Sequence, residues 1–297
     1  MGGPLIVCAG EAMIELNIDA PGRQIGFAGD VLNTAVYLAR GLHGAGEVQF
    51  ASVVGRDAMS DRMAAFIAAQ GVGTERLRRH PDRLPGIYAI AVDARGERSF
   101  SYWRGQSAAR TLFEDGFGQL AGADLVYLSA ITLAILPPGV RAALIAQLGR
   151  HPGRVAFDSN WRPRLWEDAA TARAAIEAAW RVADIALPSL DDEMALFGDA
   201  DEAAVLARLR GYGLREGALK RGAGGPVAID PAVPAVRFDP APRVVDSTAA
   251  GDSFNGAFLA ALLTGADTAT AMARGHAQAV AVIGQPGAII ADGPGAR

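Results

Sequence analysis

Asp246-Ser247-Thr248-Ala249-Ala250-Gly251-Asp252-Ser253-Phe254-Asn255-Gly256 is the stretch on which the reading of this chain turns. It follows an extended segment, 243–245, and runs into the apolar, helix-prone residues 257–263. Small residues at Ala249, Ala250 and Gly251 let the backbone turn tightly and come close to a ligand. The turn then opens a helix, whose first N–H groups and dipole favour an anion. Asp252 falls in the first turn of that helix, a carboxylate beside a place suited to phosphate. Such a carboxylate can take the proton of a hydroxyl that attacks a phosphoryl group. It can equally do no more than complement the dipole of an N-capped helix. Spacing alone does not separate these readings.

The chain has 297 residues, 51% hydrophobic and 20% charged, which suits one large α/β domain with a substantial core. A net charge of −4 gives no footprint for nucleic acid or an anionic membrane. No apolar run reaches the ~18 residues of a membrane span; 125–136 is interrupted by Ser129 and Thr132. The start, 1–10, lacks the basic region of a signal peptide and meets Glu11 at once. One cysteine, Cys8, in a presumptive buried strand excludes an internal disulfide. A reduced, cytoplasmic protein is expected. Of the 28 basic residues only Lys220 is a lysine, so the presence of an arginine at any one place says little about function.

Residues 5–9 form a continuous apolar run and read as a buried parallel strand. Strands are expected at 48–54, 125–128, 155–158, 185–187 and 217–220, with helices at 31–42, 57–70, 138–148, 169–182, 191–197, 202–210, after Asp252, and at 269–282. This alternation predicts a doubly wound, mostly parallel sheet flanked by helices. Two regions break it. Residues 13–18 alternate apolar and polar side chains, and 86–104 read as a β-hairpin turning at Asp93-Ala94-Arg95-Gly96. They predict either a small separate antiparallel sheet or an edge extension of the main one. No internal repeat or low-complexity linker is present, and the Gly/Ala-rich tail from Gly287 is expected to fray.

Three further constellations carry chemistry. Gly29 and Asp30 open a helix in which Asn33 lies one turn on, presenting polar groups on one face or merely an N-cap. Arg104 ends the second hairpin strand after Tyr102 and Trp103, and Arg162 sits in the polar loop 158–164 after a strand, where binding crevices of open α/β sheets lie. Guanidinium groups suit a carboxylate through paired, charge-assisted hydrogen bonds. Lys220-Arg221-Gly222-Ala223-Gly224-Gly225 is a glycine-rich loop after a strand, weak evidence for a nucleotide by itself.

Residues 246–256 resemble the C-terminal motif, D-T-x-G/A-A-G-D, of the ribokinase-like (PfkB) carbohydrate kinases. The resemblance runs from Ala9 to about Ile290. It implies a single kinase domain over 1–297 with a β-sheet lid built from about 12–28 and 86–104. It also implies an anion hole from the amides of Ala249, Ala250, Gly251 and Asp252, with Asp252 as the base. Gly29, Asn33 and Ala35 match the N-terminal motif G-G-x-x-x-N-x-A, while Ala28 replaces its first glycine. Gly29, Asp30 and Asn33 are thereby implied as sugar contacts, with Glu11 a weaker candidate. Residues 102–104 with 107–109, 160–166 and 187–193 resemble the branch acting on 2-keto-3-deoxygluconate. In that branch Tyr102, Arg104 and Arg162 hold the acid and keto end, Arg162 lies near the transferred phosphate, and Tyr88 can add a hydroxyl.

The same resemblance makes Lys220, Gly222, Gly225, Ser189, Thr248 and His276 ATP contacts, although His276 can equally be surface or packing. Many relatives organise magnesium with N-x-x-E; here Ser189 and Asp192 take those places, with Asp246 a weaker metal candidate. Some relatives imply a potassium ion near Asp246 and Thr248, which these residues permit. No His/Cys cluster suggests zinc. The implied activity is ATP- and Mg2+-dependent phosphorylation of the terminal hydroxyl of 2-keto-3-deoxygluconate, with Asp252 as general base. A kinase for fructose or for the galactonate epimer, and a non-catalytic sugar-acid-binding protein, remain as alternatives. Pairing of the lid sheet with a second copy is also expected.

Overall fold

The run Leu5–Ala9 forms strand β1, and its alternate side chains feed two different cores. Ile6 and Cys8 point into one cluster, Val7 and Ala9 into the other. A strand covered on both faces needs no polar alternation, which is why its sequence is apolar throughout. The computed structural model describes residues 3–19, 24–92 and 98–291. The expected turn at 93–96 and the end of the tail, 292–297, lie outside them.

Along the chain, β1 is followed by β2 (Met13–Asn17), β3 (Gln24–Ala28), α1 (Asp30–Leu42), β4 (Glu47–Val54), α2 (Ala58–Ala69) and β5 (Leu77–Arg79). Then come β6 (Gly86–Val92), β7 (Arg98–Trp103), β8 (Leu125–Ser129), α3 (Ala130–Ile135), α4 (Pro138–Leu148) and β9 (Arg154–Asp158). The remainder comprises α5 (Ala169–Trp180), β10 (Ile185–Ala186), α6 (Leu190–Phe197), α7 (Glu202–Gly211), β11 (Glu216–Leu219), β12 (Val227–Ala228), α8 (Ala250–Leu263) and α9 (Thr268–Ile283).

Eight strands form the main sheet in the order β12-β11-β10-β9-β8-β1-β4-β5, parallel except for β12. Leu32 and Val36 of α1, Met63 and Ile67 of α2, Phe254 and Phe258 of α8, and Met272 of α9 cover one face. Leu144 and Leu148 of α4, Ile176 and Trp180 of α5, and Val205 and Leu209 of α7 cover the other. From β1 the chain moves outward to β4 and β5, then returns to β8 on the opposite side of β1. The connections therefore diverge between β1 and β8, and the crevice beyond the carboxyl ends of these strands opens there. The expected doubly wound sheet is the observed one.

The two regions that break the alternation form a second sheet, ordered β3-β2-β6-β7. It is antiparallel at both edges, but its central pair, β2 and β6, is parallel. This corrects the wholly antiparallel expectation. β2 continues from β1 and β6 follows β5, and those parents run parallel in the main sheet, so their continuations leave its carboxyl edge in one direction. Met13, Ala28, Tyr88 and Ile90 on one face pack with Ala288 and Ala249; Ile14 and Leu16 on the other join the α1 side of the core. The short β5, β12 and α3 carry too few residues for a periodic signal and were not expected. The extended segment 243–245 joins neither sheet; the Val245 and Asp246 N–H groups both donate to the Ile283 carbonyl (2.7 and 3.2 Å).

Two glycines set the distances on which the crevice depends. A Cβ on Gly29 would lie 2.2 Å from the Glu11 carbonyl oxygen, so only glycine lets α1 start this close to the end of β1. A Cβ on Gly256 would meet Tyr37 Cβ at 2.6 Å and the Thr34 carbonyl oxygen at 2.7 Å, so α8 can lie directly on α1. Gly256→Ala is expected to lower unfolding stability by about 1–3 kcal/mol through overpacking. Denaturant titration reads this, and an unchanged midpoint would contradict such close helix contact.

Candidate active site

Helix α8 is preceded by Ala249 at its N-cap, whose backbone is left-handed (φ 59°, ψ 17°). A non-glycine residue there stores roughly 1 kcal/mol or more of strain, held in place by its surroundings. The Ala250 N–H closes a turn on the Ser247 carbonyl (3.3 Å), and Gly251 and Asp252 begin the helix, whose first amides have no intrahelical acceptor. Ser247, Thr248, Ala249, Ala250, Gly251 and Asp252 all line one cavity of about 900 Å3. Asp158 at the end of β9, Ile131 of α3 and Lys220 after β11 line it on the main-sheet side, and the second sheet forms its roof through Met13, Tyr88, Phe100 and Tyr102.

Helix α1 presents Gly29, Asp30 and Asn33 to the same cavity. Asn33 Nδ2 donates to Asp252 Oδ2 (2.8 Å), and Thr34 Oγ1 donates to the Asp252 carbonyl oxygen (3.2 Å). Asp30 Oδ2 accepts from Asn160 Nδ2 (2.9 Å) and from the Ser129 hydroxyl. Asp158, at the end of β9, accepts from Lys220 Nζ (2.8 Å) and Asn255 Nδ2 (2.6 Å). Three carboxylates thus share the cavity with one ammonium. Burial above all, and then the neighbouring Asp30 carboxylate, push Asp252 up to about 7; the Asn33 hydrogen bond and Lys220 oppose that rise. Burial also raises Asp30, against the Ser129 hydrogen bond.

The arginines occupy different environments. Arg104 lines the cavity, yet its side chain is only 10% exposed and is ion-paired with Glu11, itself 1% exposed. Glu11 therefore lies beneath Arg104 as its counter-ion, not as an open polar contact. Arg162 is half exposed, with Nη1 3.6 Å from Asp192 Oδ1 and donating to the Trp161 carbonyl (2.9 Å). Tyr88 donates to Glu15 and stacks on Tyr102, with ring centroids 6.0 Å apart. Burial holds the Tyr88 hydroxyl protonated far above the ordinary range.

Ser189 and Lys220 also reach the cavity, while Gly222, Gly225, Asp192, Asp246 and His276 do not line it. Gly225 packs against Phe238, and the Phe238 ring lies 4.9 Å from that of His276. His276 Nε2 is 2.8 Å from the Asp239 carbonyl oxygen. Asp192 Oδ2 accepts the Trp161 N–H (3.2 Å), and burial raises its pKa. Asp246 ties two loops together, accepting from the amides of Thr248 (3.0 Å) and Gly287 (2.7 Å). The two carboxylates expected at a metal therefore have separate structural partners. Among the described residues no group of three or more His, Cys, Asp or Glu side chains could hold a metal ion. None of the described helices is long and apolar enough to cross a membrane.

Sequence reasoning did not single out Asp158, Asn160, Asn255 or Tyr127. A legible signal existed for two of them: Asp158 ends an apolar parallel strand, and Asn255 is the one polar side chain in the stretch from Phe254 to Leu263 of α8. Tyr127 Oη lies 3.1 Å from Asn255 Nδ2 and 3.2 Å from Thr34 Oγ1, joining α8, β8 and α1 beneath the cavity.

The profile of the pfkB family carbohydrate kinases matches residues 4–293. The chain is 41% identical to a 2-dehydro-3-deoxygluconokinase from Dickeya dadantii, covering 96% of each protein. It is 40% identical to a 2-dehydro-3-deoxygluconokinase from Escherichia coli, again over 96% of each. A solved 2-dehydro-3-deoxygluconokinase from Thermotoga maritima superposes with a TM-score of 0.85 over 97% of this chain and 95% of the other, at 21% identity, and so shares the fold. With a family match over nearly its whole length, and a cavity in which a helix-opening turn meets a carboxylate, the chain belongs to the pfkB family of carbohydrate kinases and is an ATP-dependent sugar kinase.

Proposed function

We propose that this kinase phosphorylates the terminal hydroxyl of 2-keto-3-deoxygluconate, with Asp252 as the general base. One observation carries the reading: the Asp252 carboxylate, its pKa raised to about 7, opens α8 at an amide-bearing turn in the cavity that also holds Arg104 and Arg162. A base poised near neutrality is partly ionised at working pH and still strong enough to take a hydroxyl proton. Asn33 would aim the carboxylate, while Gly29 and Asp30 line the wall where sugar hydroxyls would sit. Arg162 and Arg104 would grip the acid, and Tyr88 and Tyr102 would close over it.

The amides of Ala249, Ala250, Gly251 and Asp252, with Lys220, suit the phosphates of ATP. Thr248 and Ser189 line the same cavity, and the stretch Gly222, Gly225, Phe238 and His276 would border the base. The donor chemistry fits magnesium only loosely. Asp192 offers one carboxylate outside the cavity lining, so this small, strongly hydrated ion would be held mainly by phosphate oxygens and water. When bound, magnesium would supply charge neutralisation at the phosphates. The second sheet would act as a lid that excludes water. Its exposed Ile18, Ile25 and Trp103 (49%, 51% and 61%) support pairing with a second copy. A cytoplasmic setting accords with an ATP requirement.

A neutral sugar such as fructose is the second reading. It is favoured by the Glu11 counter-ion, which already balances the charge of Arg104. The two are separated by Arg162→Ala, because Arg162 is half exposed and its partner Asp192 keeps the hydrogen bond from the Trp161 N–H. KM for 2-keto-3-deoxygluconate is expected to rise about 10–100-fold, in keeping with one charge-assisted contact, with KM for fructose unchanged. Unchanged KM, or faster turnover of fructose than of the acid by the wild type, would favour the neutral sugar.

Asp252→Asn is expected to lower kcat by about 100-fold or more. It should also alter stability. The folded-state pKa lies above the ordinary value of 3.8, so the folded protein binds the proton more tightly than the unfolded chain does. Stability is therefore lost as pH rises from 3.8 towards about 7. The asparagine variant escapes that loss and should be more stable than the wild type at pH 8, by about 1–3 kcal/mol, and equal to it near pH 3.8. Near-normal turnover by the variant would remove Asp252 from its assigned role. The kcat/KM profile of the wild type is expected to fall on acidification below about 7; a flat profile through that region would contradict ionised Asp252 as the working form.

A further inference from the structure

Lys220 is the chain's lone lysine among 28 basic residues. Of the basic side chains only four line the cavity among the described residues, and this is one of them, beside Arg104, Arg162 and Arg164. Its setting is specific. Nζ donates to Asp158 Oδ2 (2.8 Å) and to Asn255 Oδ1 (3.1 Å). The Asn255 amide is itself oriented, because its Nδ2 donates to Asp158 Oδ2 (2.6 Å) and lies 3.1 Å from Tyr127 Oη. A Cβ built on Gly251 would be 3.6 Å from Nζ, so the ammonium sits against the first turn of α8. The side chains of Lys220 and Asp158 are only 11% and 3% exposed.

A buried ion pair is weak evidence for stability, since apolar replacements of similar size often serve as well. A planar guanidinium with five donors is also too broad for a slot bounded by two acceptors and a helix backbone; a compact ammonium with three donors fits. Two of those donors are used by Asp158 and Asn255. In a chain that otherwise uses arginine for every cation, the one ammonium stands at the phosphate turn, with a donor left over.

Building on the kinase reading above, we infer that Lys220 is a catalytic residue of phosphoryl transfer, its third N–H contacting an oxygen of the transferred group. As the sugar hydroxyl oxygen bonds to the γ-phosphorus, the bond from that phosphorus to the bridging oxygen breaks. The electron pair leaves with ADP, and the hydroxyl proton goes to Asp252. Lys220 keeps its own proton and meets the negative charge that builds on the phosphoryl oxygens, a role for fixed charge that is worth most in a water-poor cavity. Asp158 and Asn255 hold the ammonium in place.

Two measurements on the protein test this. The first is Lys220→Arg, which keeps the charge and changes its shape. The variant is expected to fold but melt lower than the wild type, because the broader guanidinium crowds the slot, and to bind ATP within about threefold, with kcat on the best-turned-over sugar falling about 100-fold or more. The second uses the wild type and so does not depend on a variant folding. Acetylation by an amine-reactive ester, read by peptide mass spectrometry at Lys220, should slow about tenfold or more with saturating Mg-ATP analogue, and not with 2-keto-3-deoxygluconate alone. Wild-type kcat in Lys220→Arg, a folded variant whose only defect is lost ATP affinity, or acetylation indifferent to nucleotide would each overturn the assignment. Failure of the sugar-acid reading looks different: the wild type would turn over no sugar acid, while nucleotide still protected Lys220.

Discussion

The contact of α8 with α1 is the constraint from which the site follows. Gly256 lets the two helices lie against each other at a separation that a single methyl group would not permit. That brings Asn33 of one helix onto Asp252 of the other, and Thr34 onto the Asp252 carbonyl oxygen. Both helices start at the crevice where the sheet's connections diverge, so their N-terminal ends converge on one cavity. Helix N-termini draw anions, and here the anions include the protein's own carboxylates. The second sheet adds a roof through Met13, Tyr88 and Ala28, which pack with Ala249 of the turn itself.

That convergence works against stability and towards chemistry. Asp30, Asp158 and Asp252 crowd one side of the cavity, with Lys220 as the ammonium among them, and burial weakens their solvation. The rise of Asp252 towards neutrality is the physical trace of this crowding. A fold selected only for stability would dilute such charges. The left-handed backbone of Ala249 adds a second strained element at the same place. Strain and unfavourable charge thus sit together at the turn that opens α8.

Much of the fold was legible because its signals are local. The apolar run of β1, the alternating segments of the second sheet and the motif from Asp246 to Gly256 each lie within a dozen residues. The parallel pairing of β2 with β6 was not legible, because it follows from the direction of β1 and β5 in a different sheet. Gly29, Asp30, Asn33, Tyr88, Tyr102, Arg104, Arg162 and Asp252 do converge on one cavity, though nothing local showed that Arg104 already has a buried partner in Glu11. The Asp158–Lys220–Asn255 network stayed hidden for a similar reason. Its members are 62 and 97 residues apart from Asp158 in sequence, and no periodicity links them.

The most direct measurement is a crystal structure with 2-keto-3-deoxygluconate and a non-hydrolysable ATP analogue bound together. The terminal hydroxyl oxygen is expected within about 2.6–3.2 Å of an Asp252 carboxylate oxygen and in line with the γ-phosphorus. A sugar bound with that hydroxyl out of reach of Asp252, or with its carboxylate turned away from Arg162, would contradict the assignment of base and substrate together.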